Sequence, residues 1–103
     1  MESTFSQKVY YLCTKIPKGK VSTYKIIAEK LNTKAYRSVG TILSKNKDDS
    51  IPCHRIINQN GFIGKFSKNG NIKTKYNLLK NEGIKINKMT LKVENFENYL
   101  YTF

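Results

Sequence analysis

The sequence predicts a mainly α fold, a winged helix-turn-helix-like helical domain with a small β-hairpin. Four segments repeat apolar residues at the spacing of an amphipathic helix. A fifth, near the C-terminus, alternates apolar and polar residues as half-buried strands do. No repeat, low-complexity tract or long linker divides the 103 residues. We therefore expect residues 1–103 to form one domain with a single modest core.

The first helix is predicted from Ser3 to Lys15. Its apolar stripe consists of Phe5, Val9, Leu12, Cys13 and Ile16. The segment from Pro17 to Gly19 should end the helix, because proline and glycine both disfavour its continuation. Since Cys13 lies on the stripe, we interpret it as a small core residue rather than a reactive thiol.

The second helix can be capped by Ser22 or Thr23, whose hydroxyls suit the N-cap position. We expect its inward face to contain Ile26, Ile27 and Leu31. A short polar turn follows at residues 32–34 and separates this helix from the next.

The third helix is predicted from Ala35 to Lys45, with an inward face of Val39, Ile42 and Leu43. Two helices joined by a short turn, the second with exposed Tyr36, Arg37 and Thr41, are typical of a helix-turn-helix. Gly40 inside this helix costs ~1 kcal/mol relative to alanine. A DNA backbone that approaches the helix closely would explain the glycine.

The remaining elements are shorter. Residues 46–52 form a predicted polar loop, residues 56–66 a loop with a short strand, and Lys73 to Asn81 a fourth helix. Residues 84–93 are predicted to form a hairpin turning at Asn87-Lys88, a wing beside the helices. Aromatic and apolar residues of the tail should pack onto the core: Phe96, Tyr99, Leu100 and Phe103.

Charge favours a nucleic-acid partner. The net charge is +12, and a basic domain binds duplex DNA by releasing counterions from its phosphates. Lysines solvated over the whole surface are an equally good explanation of the charge alone. Among the 19 basic residues, however, only Arg37 and Arg55 are arginines. Their planar fork of donors cannot be supplied by lysine, which indicates a specific need at those two positions.

The chain has no apolar run near the ~20 residues that a membrane span requires. Its N-terminus lacks the pattern of a signal peptide, so we expect an intracellular monomer with no membrane contact. Two well-separated cysteines then predict free thiols, with neither a disulfide framework nor a zinc site. We expect no metal and no organic cofactor.

One short run concentrates reactive side chains. Pro52-Cys53-His54-Arg55 contains the chain's single histidine, one of its two cysteines and one of its two arginines. Proline stiffens the backbone before Cys53, and cations or a nearby base favour a nucleophilic thiolate. An inert Cys53 with a surface His54 and a salt-bridged Arg55 is the alternative. A Cys-His protease fits poorly, because its base lies far away in sequence.

With these residues in view, the chain resembles the O6-alkylguanine-DNA alkyltransferases (methylated-DNA–protein-cysteine methyltransferases). The likeness runs from about Phe5 to Gly83 and covers that family's DNA-binding, active-site domain. Pro52-Cys53-His54-Arg55 matches the family hallmark. The other matching segments follow in order: Val21 to Tyr24, Tyr36 to Gly40, Asn46, Asn60 to Gly64, and Leu78 to Gly83.

The resemblance implies a mechanism and a role for each matched residue. Cys53 would take an alkyl group from O6 of a flipped guanine in double-stranded DNA, irreversibly and once per molecule. His54 would accept the thiol proton, Glu82 would orient His54, and Tyr24 would donate to the leaving base. Arg37 would fill the gap in the duplex, with Tyr36, Gly40 and Thr41 on the same DNA-binding helix. The implied structural residues are Asn46, Pro52 and Arg55.

Three departures from the family pattern bear on this interpretation. The N-terminal domain common in the family is not seen before the matching region. Phe66 stands where a tyrosine is usual, so a hydroxyl donor is lost from the substrate pocket. The loop from Ser67 to Gly70 is longer than expected, and within it Ser67 is the residue expected to contact the base.

Two other functions stay open. Alkyltransferase-like proteins share this scaffold, end in a similar hairpin, lack the cysteine, and bind the damaged base without repairing it. Since Cys53 is present, repair is favoured over such a sensor. A helix-turn-helix transcription factor would explain the charge and the helices but would leave the Cys-His-Arg run without a purpose.

Overall fold

The computed structural model describes residues 4–46, 48, 50–64 and 72–103. Within these ranges the fold is mainly α, as predicted, with five helices and one two-stranded sheet. The helices are α1 (Phe5–Lys15), α2 (Tyr24–Lys30), α3 (Tyr36–Ser44), α4 (Ile72–Asn81) and α5 (Phe96–Tyr99). The strands are β1 (Ser22–Thr23) and β2 (Ile56–Ile57). No described helix is long and apolar enough to cross a membrane.

Helix α1 starts at a capping box. The Thr4 hydroxyl accepts from the backbone N–H of Gln7 at 3.1 Å, and the Gln7 side chain accepts from the Thr4 N–H at 2.9 Å. This cap sets the start at Phe5, two residues after the predicted one. On the inner face Val9 and Cys13 are fully buried, as the apolar stripe predicts.

Helices α2 and α3 pack on each other, and α3 also packs on α1. Thr23 caps α2, since its hydroxyl accepts from the Ile26 N–H at 3.0 Å. Ile27 is buried as expected, but its buried neighbour on α2 is Ala28 rather than Ile26. After α2, Asn32 adopts a left-handed φ of 58° and turns the chain towards α3.

The sequence predicted a short strand within residues 56–66, where β2 lies, but it predicted neither β1 nor the pairing of the two strands. Strands β1 and β2 are parallel, with Ser22 paired to Ile56 and Thr23 to Ile57. Each strand has only two residues and the two are far apart in sequence, so no periodicity reveals their pairing. The pairing brings Tyr24 towards the short 3-10 turn Cys53–Arg55, because β1 leads directly into Tyr24 and β2 directly follows the turn.

The predicted hairpin at residues 84–93 is reduced to one antiparallel bridge between Ile86 and Val93. Leu91 has a φ of 60°, which breaks the extended backbone that a longer ladder needs. Met89 is 94% exposed and belongs to no buried face. The tail packs onto the core as expected, and Val21 bridges Leu100 beside the sheet.

Candidate active site

The cysteine turn (Cys53–Arg55) lies between Pro52 and strand β2. Its backbone closes on itself, because the Cys53 N–H donates to the Ile51 carbonyl at 2.8 Å and the Arg55 N–H to the Pro52 carbonyl at 3.0 Å. Cys53 is 6% exposed. The turn therefore holds the sulfur in a fixed position just below the surface.

Asn46 contacts this sulfur directly. Its Nδ2 donates to Cys53 Sγ at 2.8 Å and to the Asp48 carbonyl at 3.1 Å, while its Oδ1 accepts from the Asp48 N–H at 2.9 Å. The Asp48 N–H fixes the amide orientation, so the nitrogen must face the sulfur. Asn46 thus joins the loop after α3 to the cysteine turn.

A second thiol also reaches Cys53. The Cys13 side chain hydrogen-bonds to it, and this contact is the main cause that lowers the pKa of Cys53. Burial acts in the opposite direction, whereas Asn46 and the charge of Lys75 lower the Cys53 pKa further. As the donor, Cys13 has a raised pKa and keeps its proton. Cys13 is buried as predicted, but its contact with the sulfur was missed, since helical spacing shows only that it faces inward.

His54, Arg55 and Glu82 form one connected group. His54 Nε2 lies 2.9 Å from Glu82 Oε2, and Arg55 donates to both carboxylate oxygens at 2.9 and 2.8 Å. A third Arg55 nitrogen donates to the Ile16 carbonyl at the end of α1 at 2.7 Å. Arg55 therefore ties the cysteine turn to α1 and to the residue after α4.

Electrostatics determine the protonation states of this group. Burial lowers the pKa of His54, which more than offsets the opposite effect of Glu82. Burial raises the pKa of Glu82, but hydrogen bonds from Arg55 and His54 outweigh it and the net shift is downward. His54 is then neutral at pH 7. If Nε2–H donates to Glu82, Nδ1 is left with a lone pair that can take up a proton.

Tyr24 is the first residue of α2 and lies near Cys53 and Lys75. Burial raises its pKa, and the charge of Cys53 adds to the effect. The phenol therefore keeps its proton at neutral pH and can donate it or a hydrogen bond.

Lys75 is a site residue that the sequence analysis missed. It is 1% exposed, and its Nζ donates to the Ile56 carbonyl at 2.6 Å and lies 5.9 Å from the centre of the Tyr24 ring. Burial lowers its pKa to about 7. A signal was present: Lys75 falls among Ile72, Tyr76 and Leu79 on the apolar stripe of α4.

The predicted DNA-binding residues lie on α3. Tyr36 is 46% exposed, and Arg37 and Thr41 are also exposed. The Thr41 hydroxyl donates to the Arg37 carbonyl at 3.1 Å. A Cβ at Gly40 would lie 3.9 Å from the Tyr24 ring, which is ordinary contact, so nothing inside the described protein requires glycine there.

Two predicted substrate-binding residues, Phe66 and Ser67, lie outside the described residues. Across the described ranges, no group of three or more His, Cys, Asp or Glu side chains could hold a metal ion.

Comparison with known proteins identifies the family. The model of the DNA-binding domain of 6-O-methylguanine DNA methyltransferase matches residues 4–84. A methylated-DNA–protein-cysteine methyltransferase from Saccharolobus islandicus is 49% identical over 83 residues, which cover 80% of this chain and 52% of the relative. The chain thus spans about half the length of the curated relatives it matches.

Solved structures resemble the chain over different lengths. S. pombe Atl1, in complex with damaged DNA containing O6-carboxymethylguanine, has a TM-score of 0.84 at 30% identity and is covered completely, as is this chain. O6-methylguanine-DNA methyltransferase from Pyrococcus kodakaraensis has a TM-score of 0.69 at 36% identity, with 80% of this chain and 47% of that one covered. Matched by the family model over most of its length, the chain belongs to the DNA-binding domain family of the 6-O-methylguanine DNA methyltransferases.

Proposed function

We propose that this protein repairs duplex DNA by irreversibly transferring an alkyl group from O6 of guanine to Cys53 Sγ, once per molecule. One observation carries the proposal: the sulfur of the cysteine turn has a donor, Asn46 Nδ2, at 2.8 Å and a lowered pKa. These are the conditions that favour a nucleophilic thiolate over an inert thiol. The names of the relatives describe the same transfer to cysteine.

Binding to DNA is supported by the charge of +12 and by neighbours crystallised with DNA. We infer that α3 meets the duplex and that Arg37 enters the space left by the flipped nucleotide. The exposed Arg37 and the glycine at position 40 suit such an approach. Flipping costs a few kcal/mol, and less for a lesion that pairs badly. The protein would act as a monomer in the intracellular compartment that holds DNA.

The chemistry is a single displacement. The Cys53 thiolate attacks the alkyl carbon, the S–C bond forms, and the C–O6 bond breaks with its electrons moving onto guanine. His54, through water, accepts the thiol proton, and Glu82 orients the ring through the 2.9 Å contact. Tyr24 donates to the departing base. The thioether product does not hydrolyse readily, so the protein is consumed.

A damage sensor is the second candidate. The match to S. pombe Atl1 over the full length of both chains favours it. Alkyltransferase-like proteins lack the cysteine, however, and Cys53 is present here with the contacts of a reactive thiol. We therefore place repair before sensing.

Intact mass separates the candidates. The protein is incubated with a duplex containing O6-methylguanine, and repair adds the mass of one CH2 group, located on Cys53 by peptide mapping. Cys53→Ala should gain nothing, and Cys13 should stay unmodified. Lesion binding without a mass change would instead indicate a sensor.

Equal binding to damaged and undamaged duplexes of one sequence, again without a mass change, would contradict both repair and sensing. A transcription factor would give that result together with a preference for a particular base sequence.

A further inference from the structure

Lys75 sits in an unusual environment for a lysine. It is 1% exposed on the inner face of α4, which packs against the cysteine turn. Its Nζ donates to the carbonyl of Ile56, the residue that follows the turn, at 2.6 Å. The same atom lies 5.9 Å from the centre of the Tyr24 ring. The ammonium thus contacts the residue that follows the cysteine turn and lies near the ring of Tyr24.

Burial on this scale is unfavourable for an ammonium, because water no longer solvates the charge. A carbonyl and an aromatic face offset part of that penalty but carry no full negative charge. The Cys53 sulfur does when it is ionised, and its charge raises the pKa of Lys75 while that of Lys75 lowers the pKa of Cys53. Each group therefore favours the charged form of the other.

We propose that Lys75 is a positioning residue of this site, whose buried ammonium holds the Cys53 sulfur as a thiolate and orients the cysteine turn through the Ile56 carbonyl. The ionisation of Cys53 does not require DNA. That the resulting thiolate serves in alkyl transfer rests on the proposed repair function. His54 remains the proton acceptor. Lys75 supplies the positive charge that a neutral His54 cannot.

Several titratable groups face Cys53 and must be counted in any pH profile. The first helix contributes Cys13 and Tyr10, and α2 contributes Tyr24. From the loop before the turn, the charge of Asp48 raises the pKa of Cys53. Among the described residues, Lys75 alone lowers the Cys53 pKa by a positive charge, so removing Lys75 should shift the thiol titration upward.

The first test measures the rate of Cys53 alkylation by iodoacetamide against pH, with the label located by peptide mass. In Lys75→Met, which keeps the volume without the charge, we expect the rate at pH 7 to fall about tenfold. The rate should recover at high pH, where the thiol ionises unaided. A structural role alone would lower stability without moving the midpoint, so an unchanged midpoint would overturn the proposal.

Lys80→Met is the matched control. Lys80 is on the same helix, and its Nζ also lies 5.9 Å from a tyrosine ring, that of Tyr76, but the residue is exposed. Its removal should leave the Cys53 profile unchanged. An equal shift in both variants would mean that general surface charge, not Lys75, sets the ionisation.

A second test does not need Lys75→Met to fold. The Lys75 side chain is titrated by NMR of its labelled ε-carbon, assigned by its loss in Lys75→Arg. We expect a lower Lys75 pKa in Cys53→Ser than in the wild type, because a hydroxyl presents no anion. Equal values would show that the two groups are uncoupled and would overturn the proposal.

Neither measurement involves DNA, so the two hypotheses fail separately. If Lys75→Met shifts the thiol profile but the wild type takes no methyl group from DNA, repair is refuted and the Lys75–Cys53 ion pair is supported. Methyl transfer with an unshifted profile in Lys75→Met would do the reverse.

Discussion

The two arginines of this protein occupy opposite environments. The Arg55 side chain is 17% exposed, and it donates to both oxygens of Glu82 and to the Ile16 carbonyl. Arg37 is exposed on α3, and the described part of the chain offers its guanidinium no hydrogen bond or ion pair. All three nitrogens of the Arg55 guanidinium thus donate within the protein, whereas the Arg37 guanidinium keeps its donors available for another molecule.

The same contrast separates the regions around them. Near Arg55, the polar groups of Asn46, His54 and Lys75 are buried or half-buried and each has a partner in the protein. On α3, Tyr36 and Thr41 are exposed. On the proposed function, the groups around Cys53 are thus positioned before DNA binds, while the exposed side chains of α3 are left to contact the DNA.

The largest expected effect comes from removing the hydrogen bonds of Arg55. In Arg55→Leu, the Glu82 carboxylate loses its charged partner inside the protein, which should lower the free energy of unfolding by about 3 kcal/mol. Urea denaturation measures this. Arg55→Lys keeps a charge but not the two-pronged contact, so its loss should be smaller. Equal losses in the two variants would show that the two-pronged geometry matters and the charge alone does not, whereas an unchanged Arg55→Lys would show the reverse.

Arg37→Ala tests the exposed surface of α3. Because Arg37 is exposed and has no partner among the described residues, its removal should change the free energy of unfolding by less than ~0.5 kcal/mol. On the proposed function, methyl transfer from duplex DNA should slow by about 10- to 100-fold, since base flipping costs a few kcal/mol. Reaction with the free O6-methylguanine base should be spared. Equal losses on both substrates would contradict a flipping role for Arg37.

Cys13→Ala tests whether the Cys13 thiol lowers the pKa of Cys53. Without the thiol donor, the pKa of Cys53 should rise, and iodoacetamide should alkylate Cys53 about tenfold more slowly at pH 7. Cys13→Ser restores a donor and should recover much of the rate. If both variants react like the wild type, Cys13 is only packing.

The sequence predicted features that lie within one helix, but it did not predict contacts between segments that are far apart in the chain. A cap at Ser22 or Thr23 and the apolar stripe of α1 were both predicted from local spacing, and the structure has the cap at Thr23. The β1–β2 pair and the contact between Cys13 and Cys53 each join positions more than thirty residues apart along the chain, which no periodicity encodes. Roles taken from the family resemblance, such as that of Arg37, remain predictions.

Acid stability should also distinguish the two regions, with a smaller effect. The pKa of His54 is lowered by burial and that of Glu82 by its hydrogen bonds. Both groups bind protons more weakly when folded, so stability falls as pH drops below ~6.5 for His54 and again below ~4.3 for Glu82. Glu82→Gln should remove the second fall from the plot of unfolding free energy against pH.

Glu29→Gln is the control for that measurement. The Glu29 side chain is 64% exposed, and its Oε1 lies 4.0 Å from Lys25 Nζ. Such exposed ion pairs contribute little to the free energy of unfolding. Its profile should follow the wild type. A matching loss of slope in both variants would mean that acid sensitivity comes from overall charge and not from the Arg55–Glu82–His54 group.

The smallest expected effect concerns Gly40, where the two regions touch. A Cβ there has 3.9 Å of clearance from the Tyr24 ring, and alanine inside a helix is favoured by about 0.5–1 kcal/mol over glycine. Gly40→Ala should therefore stabilise the free protein but weaken binding to duplex DNA, if a strand passes close to α3. Asn77→Ala, on the exposed side of α4, controls for helix propensity. Undiminished DNA affinity in Gly40→Ala would contradict a close approach, because the only group it adds is a methyl on the surface where the strand should lie.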